Sequence, residues 1–215
     1  VYDVRGYGQT PFGEVEYNLS VLVDDLRGLI EALRLDRPAV VGYSMGGWVA
    51  ATLATSYPSL LRALVLTGCS GIMARTSPDV SAKMKRVAEL LGQGDIEGIA
   101  NFMAELCFSP GFKERNPEVF RFYAGIKASN RLENLARIMG GGRGFPSELH
   151  FEKIICPTLF IAGEYDTIAT LESQRQAQMS TPNSKLVVLP AGHASMLELP
   201  EEFNNAVMQF LKSLQ

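Results

Sequence analysis

Two kinds of hydrophobic pattern alternate along this chain of 215 residues. Short runs that are almost wholly apolar predict buried strands, and they lie at residues 39–43, 63–67, 158–162 and 185–189. Apolar residues at spacings of three and four predict helices, and the clearest series is Leu22, Leu26, Leu29 and Leu33. Strands of this kind that alternate with helices are typical of a parallel sheet covered on both faces. The pattern therefore predicts an α/β fold with a mostly parallel sheet flanked by helices.

The same patterns predict further elements of this fold. Helices are expected at 45–57, 171–179 and 200–214, and residues 1–3 are interpreted as the end of a strand. Either Asn18 or Ser20 is expected to cap the first helix, because both side chains accept hydrogen bonds from backbone N–H groups at a helix start.

Residues 72–144 break this alternation, because no convincing strand lies among them. Helical patterns occur instead at 81–91, 95–108, 117–127 and 131–139. Asn116 and Pro117 suit the start of a helix, and the three glycines at 140–142 suit the end of one. We therefore predict a helical cap at 72–144, inserted into a core that residues 1–71 and 145–215 form.

Composition and charge exclude several classes of function. Charged residues make up 20% of the chain and the formal net charge is −3, without the concentrated basic surface that nucleic acids require. No apolar run approaches the roughly 18 residues that span a bilayer, and the first residues do not resemble a signal peptide. We expect no nucleic-acid partner, no membrane partner and a cytoplasmic location.

The three cysteines predict neither disulfides nor a metal site. Their odd number and irregular spacing argue against a disulfide framework and fit a reducing compartment. None lies near another Cys or a His at the spacing of metal ligands. We therefore expect Cys69, Cys107 and Cys156 to act as small hydrophobic residues, and we expect no metal.

Ser44 is the candidate nucleophile, because it lies in the pattern Gly-x-Ser-x-Gly between a predicted strand and a predicted helix. So sharp a turn strains the serine backbone and brings strand and helix close together, so Gly42 and Gly46 are expected to supply the room. At a helix N-terminus the Met45 N–H is a natural donor to an oxyanion. The alternative, a phosphate-binding turn, would require Gly-x-Gly-x-x-Gly or a Lys before Ser or Thr, and neither is present.

A serine hydroxyl needs a neighbouring base, and the chain has only two histidines. His193 follows the strand at 185–189 directly, where catalytic groups of open α/β sheets gather, whereas His150 is interpreted as a structural residue. Asp166, just after the strand at 158–162, is the predicted carboxylate that orients the histidine. Glu164 is its rival, but it lies closer to the strand end.

Four stretches together resemble the α/β-hydrolase-fold family. They are Asp-Val-Arg-Gly-Tyr-Gly at 3–8, Val-Gly-Tyr-Ser-Met-Gly-Gly at 41–47, Leu-Phe-Ile-Ala-Gly-Glu-Tyr-Asp at 159–166 and Pro-Ala-Gly-His at 190–193. The order serine, acid, histidine also matches this family. The resemblance implies the α/β-hydrolase fold with a helical cap, and catalysis without any cofactor. Haloalkane dehalogenases and epoxide hydrolases resemble the chain elsewhere, but they use an aspartate nucleophile, so Ser44 argues against both.

The expected activity is hydrolysis of a small-molecule carboxylic ester or lactone through an acyl-enzyme intermediate. Candidate substrate-binding residues are Tyr43 and Trp48 in the core and Phe102 and Phe122 in the predicted cap, although most aromatic residues of the cap are expected to form its own core. A carbon–carbon bond hydrolase, or a cofactor-independent perhydrolase, would use the same three residues. A non-catalytic small-molecule receptor is the third alternative. The oligomeric state is not predicted.

The chain departs from the family pattern in two places. Family members often carry a proline a few residues after the acid, whereas Asp166 is followed here by Thr-Ile-Ala, which predicts a less rigid loop. Family members also have strands and a His-Gly-type loop, the usual second oxyanion donor, before the segment that begins at Asp3. We expect residues of that kind before Val1. Asp3 and Arg5 are expected to pin a loop near the active site.

Overall fold

The computed structural model describes residues 1–70, 78–141, 145–146 and 149–214. Within them, four parallel strands form one sheet in the order β1-β2-β3-β4. The strands are β1 at Ala39–Tyr43, β2 at Ala63–Thr67, β3 at Thr158–Gly163 and β4 at Ser184–Leu189. Strands β2 and β3 are buried along their whole length, as expected of their largely apolar sequences. The predicted parallel sheet is therefore confirmed.

The helices follow one another along the chain in the order that the sequence predicts. The helices are α1 at Leu19–Ala32, α2 at Met45–Ser56, α3 at Pro78–Gly92, α4 at Ile96–Cys107, α5 at Phe112–Arg115, α6 at Pro117–Ala128, α7 at Leu132–Gly141, α8 at Leu171–Ser180, α9 at Ser195–Glu198 and α10 at Pro200–Lys212. Asn18 caps α1, because its Oδ1 accepts a hydrogen bond from the Val21 N–H at 3.0 Å. The short helices α5 and α9, and a 3₁₀ turn at Phe151–Lys153, were not predicted, because a segment of three or four residues is too short to show a periodic pattern.

The N-terminal residues form a loop, so the strand end predicted at residues 1–3 is wrong. Among the described residues no strand pairs with them, and their polar groups bond within the loop and to α1 instead. The Gln9 N–H donates to Asp3 Oδ2 at 3.0 Å, and the Thr10 hydroxyl donates to the Asp3 carbonyl at 2.7 Å. Arg5 donates to both carboxylate oxygens of Asp25, at 2.8 and 2.5 Å. Asp3 and Arg5 therefore do pin this loop.

The described residues divide into two compact units. The unit with the sheet comprises those within 26–73, 107–110 and 146–215, and Phe203 and Phe210 of α10 cover the inner residues of its strands. The other comprises those within 1–25, 74–106 and 111–145, and its core is built around Val87, Leu90 and Ile99. The cap boundaries at 72–144 remain a prediction, and residues 71–77 and 142–144 lie outside the described part of the chain.

No helix within the described residues is long and apolar enough to cross a membrane. The three cysteines are buried, and none of them is in a disulfide.

Candidate active site

Ser44 occupies the sharp turn between β1 and α2. Its backbone has φ 52° and ψ −119°, a conformation that residues other than glycine rarely adopt. Such strain costs on the order of 1–3 kcal/mol and persists only where the surroundings impose it. Here the Ser44 N–H donates to the Thr67 carbonyl at the end of β2, over 2.9 Å. The turn thus holds the hydroxyl at the carboxyl ends of the strands.

Glycines make this turn possible, although not both of those expected. A Cβ atom on Gly42 would lie 2.6 Å from the Gly46 carbonyl oxygen, so Gly42 is required, as predicted. A Cβ on Gly46 meets no described atom within 4 Å, and the prediction for that position is wrong. The second tight contact falls at Gly47, whose Cβ would lie 2.6 Å from Cys69 Cβ. Successive helical residues point about 100° apart, so α2 presents Gly47, not Gly46, to the segment after β2.

The structure brings together the three residues that the sequence singled out. His193 Nε2 lies 2.9 Å from Ser44 Oγ, and His193 Nδ1 lies 2.8 Å from Asp166 Oδ2. The imidazole and the carboxylate are almost fully buried, with 3% and 4% of each residue exposed. An ionised carboxylate only accepts, so Nδ1 carries the proton and Nε2 is left to accept from the serine hydroxyl. This tautomer is the one a general base needs.

The rival residues lie apart from this group. His150 is exposed, and its Nδ1 pairs with the Glu152 carboxylate at 3.1 Å. Glu164 is also exposed, whereas Asp166 turns inward.

The aspartate is held by its own loop. Asp166 Oδ1 accepts the backbone N–H groups of Ile168 and Ala169, at 2.8 and 2.9 Å. A side chain that accepts N–H groups two and three residues ahead closes a turn, which fixes the carboxylate without the family's proline.

Two residues that the sequence analysis missed position the imidazole. Gly68 follows β2 with φ 54°, and a Cβ there would lie 2.8 Å from Cε1 of His193. Glu198 accepts the Gly192 N–H at 2.6 Å and the Ser109 N–H at 3.0 Å, and also accepts from the Ser109 hydroxyl. The Ala194 N–H donates to the Cys107 carbonyl at 2.8 Å. The histidine loop is therefore held to the segment at 107–110 directly by Ala194, and at Gly192 through the Glu198 carboxylate.

The remaining candidate residues have different surroundings. The Tyr43 ring packs on the His193 ring, with centroids 5.0 Å apart, and its hydroxyl donates to Cys107 Sγ at 3.9 Å. Trp48 is buried in α2, Phe102 packs against the cluster of Val87, Leu90 and Ile99, and Phe122 is 62% exposed. Met45, one residue after Ser44, is the first residue of α2, so its N–H lies at the helix N-terminus. Substrate contact by any of these residues remains a prediction.

Burial makes the thiols of Cys69 and Cys156 poor nucleophiles. Burial raises the pKa of the Cys69 thiol to about 12, so almost none of it is ionised near neutral pH. Burial also raises the pKa of the Cys156 thiol. No group of three His, Cys, Asp or Glu side chains within the described residues is arranged to hold a metal ion.

On this parallel α/β fold, a serine is hydrogen-bonded to a buried histidine, which is hydrogen-bonded to a buried aspartate. This arrangement, with the residues in this chain order, is the geometry of a serine hydrolase. Comparison with known proteins agrees, since a model of the alpha/beta hydrolase fold family matches residues 1–200. The chain belongs to the α/β-hydrolase family.

Similar proteins with known names are also hydrolytic enzymes. The 3-oxoadipate enol-lactonase 2 of Acinetobacter baylyi is 28% identical over 98% of this chain and 77% of its own length. The 2-hydroxymuconate semialdehyde hydrolase of Pseudomonas putida is 27% identical over 96% of this chain and 73% of its own length. The crystal structure of a hydrolase from Pseudomonas aeruginosa PA01 has a TM-score of 0.85 and 31% identity, and the match covers 98% of this chain and 78% of that one. The chain is a hydrolytic enzyme.

Proposed function

We propose that this enzyme hydrolyses a small to medium carboxylic ester or lactone, with Ser44 as nucleophile, His193 as general base and Asp166 as the orienting acid. The observation that carries the proposal is the pair of hydrogen bonds from His193, at 2.9 Å to Ser44 and 2.8 Å to Asp166. The enol-lactonase relative supports the choice of bond, because a lactone is an internal ester.

The mechanism follows from the hydrogen bonds at this site. Ser44 Oγ attacks the carbonyl carbon while its proton passes to His193 Nε2, and Asp166 stays ionised and stabilises the imidazolium. The Met45 N–H, at the start of α2, is the proposed donor to the tetrahedral oxyanion. His193 then protonates the leaving alkoxide and activates a water molecule, which attacks the acyl carbon and releases Ser44.

Several finer features belong to the same proposal. Residues 72–144 act as a cap that sets the preference for one acyl chain over another, with Phe102 and Phe122 among its aromatic residues. Tyr43 is the substrate-facing residue with most support, because its ring lies against His193. The location is cytoplasmic, which three buried cysteines outside disulfides support.

The second candidate is cleavage of a carbon–carbon bond beside a carbonyl on the same three residues. The relative named 2-hydroxymuconate semialdehyde hydrolase is the observation in its favour. A perhydrolase has no comparable support, and a receptor has no use for a serine bonded to a buried histidine and aspartate.

One experiment separates these candidates. A fluorophosphonate that reacts with activated serines should label Ser44, as peptide mass spectrometry will show. A panel of esters, lactones and a β-diketone, with peroxide plus acetate as a separate assay, then identifies the reaction. Turnover of an ester or lactone supports the proposal, and turnover of the β-diketone alone supports the second candidate. A folded protein that neither labels nor turns over any substrate is a receptor, and the proposal is wrong.

Replacing Gly68 with Ala is expected to lower kcat about 10²-fold, the loss that a misplacement of about 1 Å produces. The new Cβ would lie 2.8 Å from His193 Cε1 and 2.9 Å from Nδ1, so the ring or the backbone must shift, and the bond to Ser44 is expected to be disturbed. The test is kcat and KM for a small activated ester, with Gly28→Ala as control, since a Cβ on Gly28 meets no described atom within 4 Å. A Gly68→Ala enzyme with the wild-type kcat would show that the ring tolerates displacement.

Iodoacetamide is expected to leave the activity unchanged near neutral pH. The reagent attacks thiolates, whereas the Cys69 thiol, which lies next to Gly47, has a pKa of about 12 and is 1% exposed. Activity before and after incubation, with a count of alkylated cysteines by intact mass, makes the test. Loss of activity that parallels alkylation of one cysteine would assign that thiol a part in turnover.

A further inference from the structure

Gln174 lies on α8 and is completely buried, with 0% of its surface exposed. Glutamine is among the residues that are mostly exposed in folded proteins, because its amide loses hydrogen bonds to water on burial. A buried glutamine beside the proposed catalytic acid therefore needs an explanation.

The hydrogen bonds of Gln174 define its orientation. Its Nε2 donates to the Ala169 carbonyl at 2.6 Å and, over a longer 3.4 Å, to Asp166 Oδ2. Both partners accept only, so the amide must present its NH₂ group to them. Its Oε1 then has no hydrogen-bond partner among the described residues. An unpartnered buried acceptor weakens folding, so packing alone does not account for an amide at this position.

The acid has a donor for each of its acceptor sites. Ile168 and Ala169 donate to Oδ1 of Asp166, and His193 and Gln174 are the donors on Oδ2. A carboxylate has about four lone-pair sites, so this set fills the ionised form. Gln174 supports the carboxylate in a second way as well. It donates to the carbonyl of Ala169, and the N–H of the same residue donates to Oδ1.

We propose that Gln174 is a positioning residue for the reaction, which holds the Asp166 carboxylate with Oδ2 toward His193. The inference rests on the proposed function of Asp166, since Gln174 acts through that side chain and touches no reacting atom. The orphaned Oε1 is the consequence of using the NH₂ group for this purpose. Without the amide, Asp166 keeps its two backbone donors but loses the one side-chain donor that shares Oδ2 with His193.

The test compares Gln174→Met with Gln176→Met. Methionine has nearly the length of glutamine and no N–H donors, and Gln176 lies on the same helix with an exposed amide. Gln174→Met exchanges one unpartnered buried acceptor, Oε1, for another, the Ala169 carbonyl, so its melting temperature should stay near that of the wild type. Its kcat should fall about ten-fold with an unchanged KM, the lower end of the range for residues that orient metal-bound histidines. Gln176→Met should match the wild type.

A second measurement does not depend on turnover. The proton on His193 Nδ1 should give a downfield ¹H NMR resonance while it is bonded to Asp166, and Gln174→Met should shift or broaden it. A folded Gln174→Met protein with the wild-type kcat and resonance overturns the inference. If the wild-type enzyme cleaves no ester or lactone, the proposed function fails, and the resonance still decides the role of Gln174.

Gln174→Glu covers the case in which the methionine variant does not fold. It keeps the shape of the side chain but places a carboxylate against two acceptors, beside the charge of Asp166. The resonance should change here as well, and kcat should fall further than in Gln174→Met. An unchanged resonance and kcat in this variant also overturn the inference.

Discussion

Replacing Ser44 with Ala is expected to abolish ester or lactone turnover, with a loss in kcat on the order of 10⁶-fold, as in another serine hydrolase that loses its nucleophile. The hydroxyl is the only group on this side chain that can form an acyl-enzyme, and it already lies 2.9 Å from the base. Fluorophosphonate labelling should disappear with the activity. The measurements are kcat on the best substrate of the panel and the mass of the labelled peptide.

The fold should survive this substitution. Alanine keeps the Cβ of Ser44, and the bonds that hold the turn are made by the backbone, including the one to the Thr67 carbonyl. Ser180→Ala is the matched control, since its exposed hydroxyl bonds only to the Gln176 carbonyl one helical turn away. An Ser44→Ala enzyme that is folded and keeps most of its activity would show that the nucleophile is another group.

The elements of this fold were predictable because local pattern and tertiary structure agree. Strands β2 and β3 are almost wholly apolar and are buried at every position, so short apolar runs between predicted helices identified them. The three central residues were predictable for a related reason. Only two histidines exist, only one follows a strand, and the carboxyl ends of parallel strands meet at one edge. Chain order was enough to bring Ser44, Asp166 and His193 to that edge.

The contacts that support these residues could not be predicted in this way. Gly68 lies against a histidine that is 125 positions later in the chain, and Glu198 bonds to Ser109 across 89 positions. Such contacts depend on which loops meet above the sheet. The spacing of apolar residues along the chain carries no information about which loops meet. The wrong prediction that Gly46 provides room for the turn has a local cause. The direction in which each residue of α2 points depends on the geometry of the turn that precedes it.

Gln174 is another supporting residue that the sequence pattern could not reveal. In the sequence it is one of three glutamines on α8, and only burial separates it from exposed Gln176. A glycine directly after a strand, as at Gly68, was the one available signal for close approach at the site. For Gln174 and Glu198 the sequence holds no comparable signal, since both are ordinary residues of helices.

Replacing Asp166 with Asn is expected to lower kcat by about 10⁴-fold, the loss seen when the same change is made in a serine protease. The structure predicts which way the amide will face. The backbone N–H groups of Ile168 and Ala169 both donate to Oδ1, so the carbonyl oxygen of the new Asn must take that place. Its NH₂ group is then directed at His193 Nδ1, which must accept, and the ring proton is forced onto Nε2.

A proton on Nε2 prevents His193 from accepting the proton of Ser44, so binding should survive while chemistry fails. KM should therefore change little, and fluorophosphonate labelling should slow with kcat. Glu164→Gln is the matched control, because it also replaces a carboxylate by an amide, on an exposed side chain two residues away. Wild-type rates are expected for Glu164→Gln. If that variant loses activity and Asp166→Asn keeps it, the orienting acid is Glu164, and the carboxylate 2.8 Å from His193 serves only the fold.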